Sequence, residues 1–315
     1  AADNSAASTA TQDVTIAFDV LNGNTPVRCG DALTIANTAL WDHTASDATT
    51  PAVATKLSTP GTTGAQSTAG KMVDLRYYVS GLALLDANGN LSPVVMTETD
   101  NQSKGVALLD FGNGGTTTCT TTYVTSVVGK VKPGTYTGLV FTVGVPVYAL
   151  DGAKLNHSNA TDTTNPKPLQ STAMAWSWQS GRKFMKVEFK PDTAIDKAGA
   201  ATTTVWNMHL GSTGCNAGSS GNGNAPLGEV VACTNPNRVK VKFDSFDAGT
   251  QKVALDLAEL YKTSDVTFEG GGAAGCMSGT TDPECPTVFK QLGLSLTTGL
   301  MDSSLTQSVF KVKAK

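Results

Sequence analysis

Met174-Ala-Trp-Ser-Trp-Gln-Ser-Gly-Arg-Lys-Phe184, continued by Met185-Lys-Val-Glu-Phe189, is the stretch from which the fold is predicted. Apolar and charged residues alternate along its second part, which is typical of a half-buried β-strand. If the first part is also a strand, Trp176 and Trp178 lie on one face, because successive side chains of a strand point to opposite sides. The stretch therefore predicts a sheet that carries a wall of two indoles.

Similar alternating segments recur along the chain and are separated by Asn-, Gly- and Pro-containing turns. They are 14–20, 71–79, 106–111, 123–131, 136–145 and 238–243. Short helices are predicted only at 255–261 and 286–292. This pattern predicts an all-β protein, a disulfide-stapled β-sandwich with long loops and little helix.

The chain of 315 residues is long enough for one large all-β domain. We predict a flexible N-terminal tail at 1–12 and a single β-sandwich domain at 13–315. A long loop is expected at about 31–70, where large apolar residues are rare, and loops of this length are usually functional or disordered.

Charge and hydropathy exclude several classes of protein. Only 16% of the residues are charged and the net charge is -3, so no basic surface for nucleic acid is expected. No run of about 18 apolar residues occurs, and therefore no membrane span is predicted. The chain starts without a charged and apolar leader, as expected of a mature form whose signal peptide has been removed, which predicts a periplasmic or secreted protein.

The six cysteines lack the paired spacing of a structural zinc site, so disulfides are the better explanation. Fifteen pairings are formally open. Proximity favours Cys215 with Cys233 and Cys276 with Cys285, which leaves Cys29 for Cys119. An oxidising compartment follows from this interpretation.

The three histidines of the chain lie near tryptophans or Gly-rich turns. His157 and His209 bracket the indole wall, and Trp206 precedes His209 by three positions. His43 follows Trp41 by two positions, so both side chains reach one point if the backbone is extended. Imidazoles without thiolate or carboxylate, in an oxidising compartment, favour copper. The plain alternatives are core tryptophans, a loop anchored by Trp41 and histidines that only form hydrogen bonds.

No motif for catalysis accompanies these residues. The sequence has no nucleophile elbow, phosphate-binding loop, dinucleotide fingerprint or His-Glu-x-x-His. We therefore predict that the protein is not an enzyme.

An ordered set of short motifs resembles the MbnP family, the methanobactin-associated proteins also called metallo-mystery-pair four-Cys proteins. The resemblance covers Val14 to about Phe246. The motifs are Tyr77-Tyr-Val-Ser-Gly-Leu82, Leu108-Leu-Asp-Phe111, Gly144-Val-Pro146 with Leu155-Asn-His157, Met174 to Phe184, and His209-Leu-Gly-Ser-Thr-Gly-Cys215.

The resemblance implies a periplasmic copper-binding protein that is the substrate of a MauG-like dihaem enzyme of the cytochrome c peroxidase family, called MbnH. This partner oxidises a tryptophan of the protein to kynurenine. Copper proteins of similar function, MopE and CorA, bind copper beside a kynurenine, and in MopE that residue precedes a histidine by two positions. Trp41 and His43 share this spacing.

The predicted metal ligands are therefore His43, His157, His209 and Trp41 as kynurenine. Trp176, Trp178 and Trp206 are the alternative sites of oxidation. A long insertion around Trp41 and the two additional cysteines depart from the family pattern, which leaves the oxidised tryptophan open. The competing function is a structural or carbohydrate-binding β-sandwich that stacks Trp176 and Trp178 on sugar rings.

Overall fold

The computed structural model describes residues 9–37, 66–176, 181–197, 202–215 and 233–315. Its strands, in chain order, are β1 (Gln12–Asn22), β2 (Thr25–Pro26), β3 (Ala32–Asn37), β4 (Gln66–Leu85), β5 (Leu91–Pro93), β6 (Val95–Met96), β7 (Gln102–Ser103), β8 (Val106–Asp110), β9 (Ser126–Val131), β10 (Gly138–Val143), β11 (Met185–Pro191), β12 (Asp196–Lys197), β13 (Trp206–Leu210), β14 (Thr213–Cys215), β15 (Cys233–Asn235), β16 (Val239–Phe243), β17 (Gln251–Asp256), β18 (Phe268–Glu269), β19 (Gly275–Cys276) and β20 (Phe310–Ala314). The helices are 3-10 turns at Lys167–Leu169 and Thr172–Met174 and the α-helices α1 (Leu257–Leu260) and α2 (Cys285–Gln291). The all-β prediction is confirmed, and both predicted short helices are present.

Two sheets account for most of these strands. One has the order β20-β17-β1-β9-β6, with β2 beside β1, and the other has the order β16-β10-β4-β11-β13-β19. The long strand β4 is the centre of the second sheet, because β3, β5 and β8 also pair with it. Two further pairs of short strands, β12-β18 and β14-β15, lie beside the sheets in the chain that the structure describes.

Aromatic rings join the two sheets into a sandwich. Phe18 of β1 meets the edges of Tyr77 of β4 and Phe141 of β10, with ring centroids 6.4 and 5.6 Å apart. Phe310 of β20 contacts the same two rings at 5.8 and 5.9 Å. All four side chains are buried. Such pairs stabilise by about 0.5–1.5 kcal/mol beyond the apolar area they bury, so the layer between the sheets is the core.

Three disulfides connect the strands and loops, and their pairing is the predicted one. They join Cys29 to Cys119, Cys215 to Cys233 and Cys276 to Cys285, and no cysteine of the chain is free. Closing loops in the unfolded chain stabilises the fold by about 3 kcal/mol for short loops and about 4–5 kcal/mol for loops near 90 residues. No helix in the described part of the chain is long and apolar enough to cross a membrane.

Two expectations of local structure are wrong. The ends of the predicted loop at 31–70 are strands, because β3 pairs with β4 from Ala32 opposite Lys71 to Asn37 opposite Gln66. Backbone hydrogen bonds hold this hairpin, so small and polar side chains suffice there. The rest of the predicted loop, with Trp41 and His43, lies outside the described residues.

The stretch from Met174 to Phe184 is not one continuous strand. A 3-10 turn ends at Met174, a single bridge pairs Ala175 with Arg182, and β11 begins only at Met185. Gly181, next to this bridge, has a φ of 108°, an angle that residues other than glycine rarely adopt. Trp178 lies outside the described residues, so the predicted wall of two indoles remains a prediction.

Candidate metal centre

His209 is placed by the pairing of β13 with β11. It lies opposite Lys186, and Asn207 lies opposite Glu188. Because side chains alternate along a strand, His209, Lys186 and Glu188 share one face. The other face of β11 carries apolar side chains that are buried in the core. The alternation predicted for β11 is thus confirmed, and its polar face meets an imidazole.

A short hydrogen bond fixes the ring of His209. Its Nε2 lies 2.7 Å from Oε1 of Glu188, and the imidazole and carboxylate side chains are 7% and 13% exposed. The hydrogen bond from His209 and the charge of Lys186 lower the pKa of Glu188, although burial alone would raise it. An ionised carboxylate only accepts hydrogen bonds. Nε2 of His209 is therefore the protonated nitrogen.

The other ring nitrogen of His209 carries a lone pair. Burial lowers the pKa of His209, and the charges of Lys183 and Lys186 act in the same direction, so that together they outweigh the effect of Glu188 and the ring is neutral. Nδ1 is buried and has no hydrogen-bond partner within the described residues. An imidazole whose second nitrogen donates to a carboxylate is the usual arrangement of a metal-binding histidine. The geometry supports coordination through Nδ1.

Trp176 borders this imidazole. Its ring is 3% exposed and meets the ring of His209 edge to face, with centroids 6.4 Å apart. The indole is held close to Gly211, where a Cβ atom would lie 2.6 Å from two atoms of the indole. Only glycine allows this approach, because other residues would overlap the ring. Trp176 is therefore a wall of the candidate site.

His157 lies beside Gly181, which pairs with Trp176 at the base of a hairpin. The backbone N–H of Trp176 donates to the carbonyl of Gly181, and a Cβ atom on Gly181 would lie 3.4 Å from Cε1 of His157. Nε2 of His157 is 3.4 Å from Nδ2 of Asn156 and 3.6 Å from Sγ of Cys233. The base of the 176–181 hairpin thus contacts both described histidines.

Burial sets the protonation of His157, which is 1% exposed. Burial and the charges of Arg238 and Arg182 lower its pKa to about 4. The imidazole is therefore neutral at ordinary pH and able to donate a lone pair, which metal binding requires.

Arg182 holds the segment that carries His157 against the hairpin. Its guanidinium is fully buried and donates to the backbone carbonyls of Asn156 and Ser158 at 2.9 and 2.7 Å and to that of Leu169 at 2.6 Å. Its backbone N–H donates to the side chain of Asn156 at 2.9 Å. Because these bonds satisfy a buried cation with fixed carbonyls, the position of His157 is rigidly defined.

Trp206 does not belong to this group. It lies on β13, three positions before His209, and therefore points to the opposite face. Its Nε1 donates to the carbonyl of Phe268 at 3.3 Å, and its ring meets the edge of Tyr261 with centroids 5.6 Å apart. Trp206 is a core residue with its N–H satisfied.

Sequence reasoning missed three polar residues of the site. Glu188 and Arg182 stand in the stretch from Met174 to Phe189 with no partner predicted for either, and Asn156 stands only in the motif that ends at His157. In the sequence, the sign of such a residue is a charge within an alternating strand that pairs with a strand carrying a histidine. Glu188 is such a charge. The partner follows only from the register between β11 and β13.

Comparison with known proteins agrees with the resemblance found in the motifs. The sequence model of the MbnP family matches residues 11–278. The solved structure of MbnP from Methylosinus trichosporium is similar, with 37% identity and a TM-score of 0.77, over 97% of this chain and 99% of that one. A comparison with curated proteins found no match. The family match spans most of the chain and the structural match nearly all of it, and the chain therefore belongs to the MbnP family.

Proposed function

We propose that this protein binds copper, and that its site is completed when a MauG-like dihaem enzyme of the MbnH type oxidises one of its tryptophans to kynurenine. The observation that carries the proposal is the buried imidazole of His209, which is oriented by Glu188 and keeps Nδ1 available beside an indole. Imidazole is a common copper ligand. Membership in the MbnP family supports the same function.

His209 would hold the metal through Nδ1, and His157, neutral and buried beside Gly181 at the base of the same hairpin, would supply a second imidazole. His43 and Trp41, as kynurenine, remain proposed ligands and lie outside the described residues. When bound, copper supplies a centre with two accessible oxidation states. The residues present fit such a metal because both imidazoles are neutral and one has a second nitrogen fixed by a carboxylate.

Oxidation of an indole adds donor atoms. Opening the pyrrole ring leaves an aromatic amine and a carbonyl, whereas indole offers only one N–H donor. We place the modification first at Trp41, because it precedes His43 by two positions, a spacing that on an extended backbone would bring an aromatic amine near an imidazole. Trp176 is the alternative that the geometry favours, since it contacts His209, and Trp178 remains open. Trp206 is the weakest candidate because it lies in the core.

In this proposal the protein is a substrate of the dihaem enzyme and a copper-binding protein, not an enzyme, and it acts in the periplasm or after secretion. The carbohydrate-binding alternative needs an exposed indole face for stacking on a sugar ring. Trp176, with 3% of its surface exposed, does not offer one. No feature of the described residues favours that alternative.

The test is to produce the chain with and without the dihaem partner and to measure intact mass, tryptic peptides and copper(II) affinity. We expect a kynurenine mass shift on the Trp41 peptide only with the partner, together with tighter copper binding. Trp41→Phe should fold with all three disulfides and bind copper poorly after the same treatment. A kynurenine mass shift on the peptide that contains Trp176 and Trp178 would show that one of these two tryptophans, and not Trp41, is the modified residue. An unchanged mass together with unchanged copper affinity would refute the proposal.

A further inference from the structure

A second group of metal donors lies where His157 meets a disulfide. Nε2 of His157 is 3.6 Å from Sγ of Cys233. This nitrogen and the sulfurs of Cys215 and Cys233 all lie within 4.8 Å of one another. In the structure the two sulfurs are bonded to each other. If that bond opens, the same three atoms become two thiolates and an imidazole, which is a donor set that soft metals prefer.

The two cysteines are held opposite each other by more than their disulfide. They form one pair of the β14-β15 ladder, and Thr213 opposite Asn235 forms another. Nδ2 of Asn235 donates to the carbonyl of Thr297 at 2.9 Å, and Oγ1 of Thr213 donates to the carbonyl of Ser278 at 3.3 Å. These anchors do not involve sulfur. Reduction therefore leaves the thiols facing each other within reach of one metal ion.

Exposure favours reduction of the Cys215–Cys233 disulfide over reduction of the Cys276–Cys285 disulfide. Cys215 and Cys233 are partly exposed, whereas Cys276 and Cys285 are fully buried, so a reductant reaches the former pair first.

We propose that the Cys215–Cys233 disulfide is a redox gate, and that its reduction opens a site for Cu(I) formed by Cys215, Cys233 and His157. The reductant is a dithiol. One of its thiolates attacks a sulfur of the disulfide, which forms a mixed disulfide and frees the other cysteine. The second thiolate of the dithiol then attacks the mixed disulfide and frees the remaining cysteine. The dithiol leaves as its own disulfide after giving up two electrons and two protons, and the two cysteines become thiols.

Metal binding then forms two copper–sulfur bonds and releases the two thiol protons to solvent, while Nε2 of His157 donates a lone pair and loses no proton. The site shares His157 with the proposed function but goes beyond it, because it rests on two thiolates and needs neither kynurenine nor the dihaem partner. Its test therefore uses protein made without that partner, in which the tryptophans are unmodified. Failure of kynurenine formation has no influence on the outcome.

The first experiment compares the oxidised protein with protein reduced by dithiothreitol and desalted without oxygen. Each is titrated with Cu(I) in competition with bicinchoninate. We expect the reduced protein to bind one Cu(I) more tightly than the oxidised protein does and to develop an ultraviolet sulfur-to-metal charge-transfer band. The paired substitution Cys215→Ser with Cys233→Ser should abolish both, and His157→Ala should weaken binding about tenfold or more. Equal Cu(I) uptake in the oxidised protein, or in the serine pair, would overturn the proposal.

A second measurement needs no variant. Reduced wild-type protein is alkylated with iodoacetamide with and without Cu(I), and the modified peptides are mapped. Cu(I) should protect Cys215 and Cys233 and leave Cys29 and Cys119 as reactive as before. Unchanged alkylation of the first pair would refute the assignment. Protection confined to Cys276 and Cys285, which lie near Asp282, would place the metal elsewhere and would refute it equally.

Discussion

Acidification should destabilise this protein through His157. The side chain is 1% exposed, and burial with the charges of Arg238 and Arg182 lowers its pKa from 6.5 to about 4. Between these values the unfolded chain binds a proton at this residue and the folded chain does not. The stability that the neutral ring provides is therefore complete above pH 6.5 and is lost as the pH falls toward about 4.

The size of the effect follows from the shift. A pKa change from 6.5 to about 4 is a difference of about 2.5 units, and each unit corresponds to about 1.4 kcal/mol. His157 alone should thus remove up to about 3 kcal/mol of unfolding free energy over this range. That is a large fraction of the roughly 5–15 kcal/mol by which domains are usually stable.

The assay is urea unfolding of metal-free protein at several pH values between neutral and about 4, with the wild type compared with His157→Gln. Glutamine retains a polar side chain of similar length but does not titrate. Other ionisable groups titrate in both proteins and cancel in the difference. The advantage of the wild type should shrink as the pH falls. Parallel curves for the two proteins would refute the reasoning, because they would show that His157 titrates alike in both states.

The lowered pKa of His157 also lowers the pH at which copper binding should be lost. An imidazole with an unperturbed pKa would lose its metal below about pH 6. Since His157 remains neutral down to about pH 4, protons compete with the metal at this ligand only near that value.

Two further substitutions test the site beside β13. Glu188→Gln should weaken copper binding by about 10–100-fold, because the imidazole of His209 loses its anionic partner. Glu259→Gln, at a partly exposed ion pair with Lys262, should leave the affinity unchanged. Equal affinities of Glu188→Gln and the wild type in competition titrations would show that Glu188 serves stability only. Gly211→Ala should lower the free energy of unfolding by about 1–3 kcal/mol, because its Cβ would meet Trp176 at 2.6 Å, and an unfolding midpoint equal to that of the wild type would contradict this contact.

Much of the architecture was predictable because it depends on local pattern. The sheets are predicted by the alternation of apolar and polar residues in β1 and β11, together with the turns between strands. Close spacing gave the Cys215–Cys233 and Cys276–Cys285 pairs, and the third pair followed by elimination. These features need only short-range information. The hairpin of β3 and β4 was missed because its small, polar side chains carry no strong period.

The candidate site was predictable only in part, because its geometry depends on pairing between distant segments. Scarcity singled out His157 and His209, and both contact the base of the same hairpin. Glu188, whose carboxylate fixes His209, lies on β11. The alternation of apolar and charged residues along β11 is equally typical of a strand whose polar face meets solvent. No local signal distinguishes a charge that faces water from one that faces an imidazole.

The carboxylate beside His209 is itself held by the central strand of the sheet. Lys186 lies 3.8 Å from Glu188 and 3.1 Å from Asp74 on β4. Asp74 also accepts two hydrogen bonds from Arg76, at 2.9 and 2.6 Å. Three paired strands therefore fix the position of one imidazole, and strands hold a ligand more rigidly than loops do. A tryptophan oxidised nearby would meet a first ligand that is already oriented, so the modification has only to supply the missing donors.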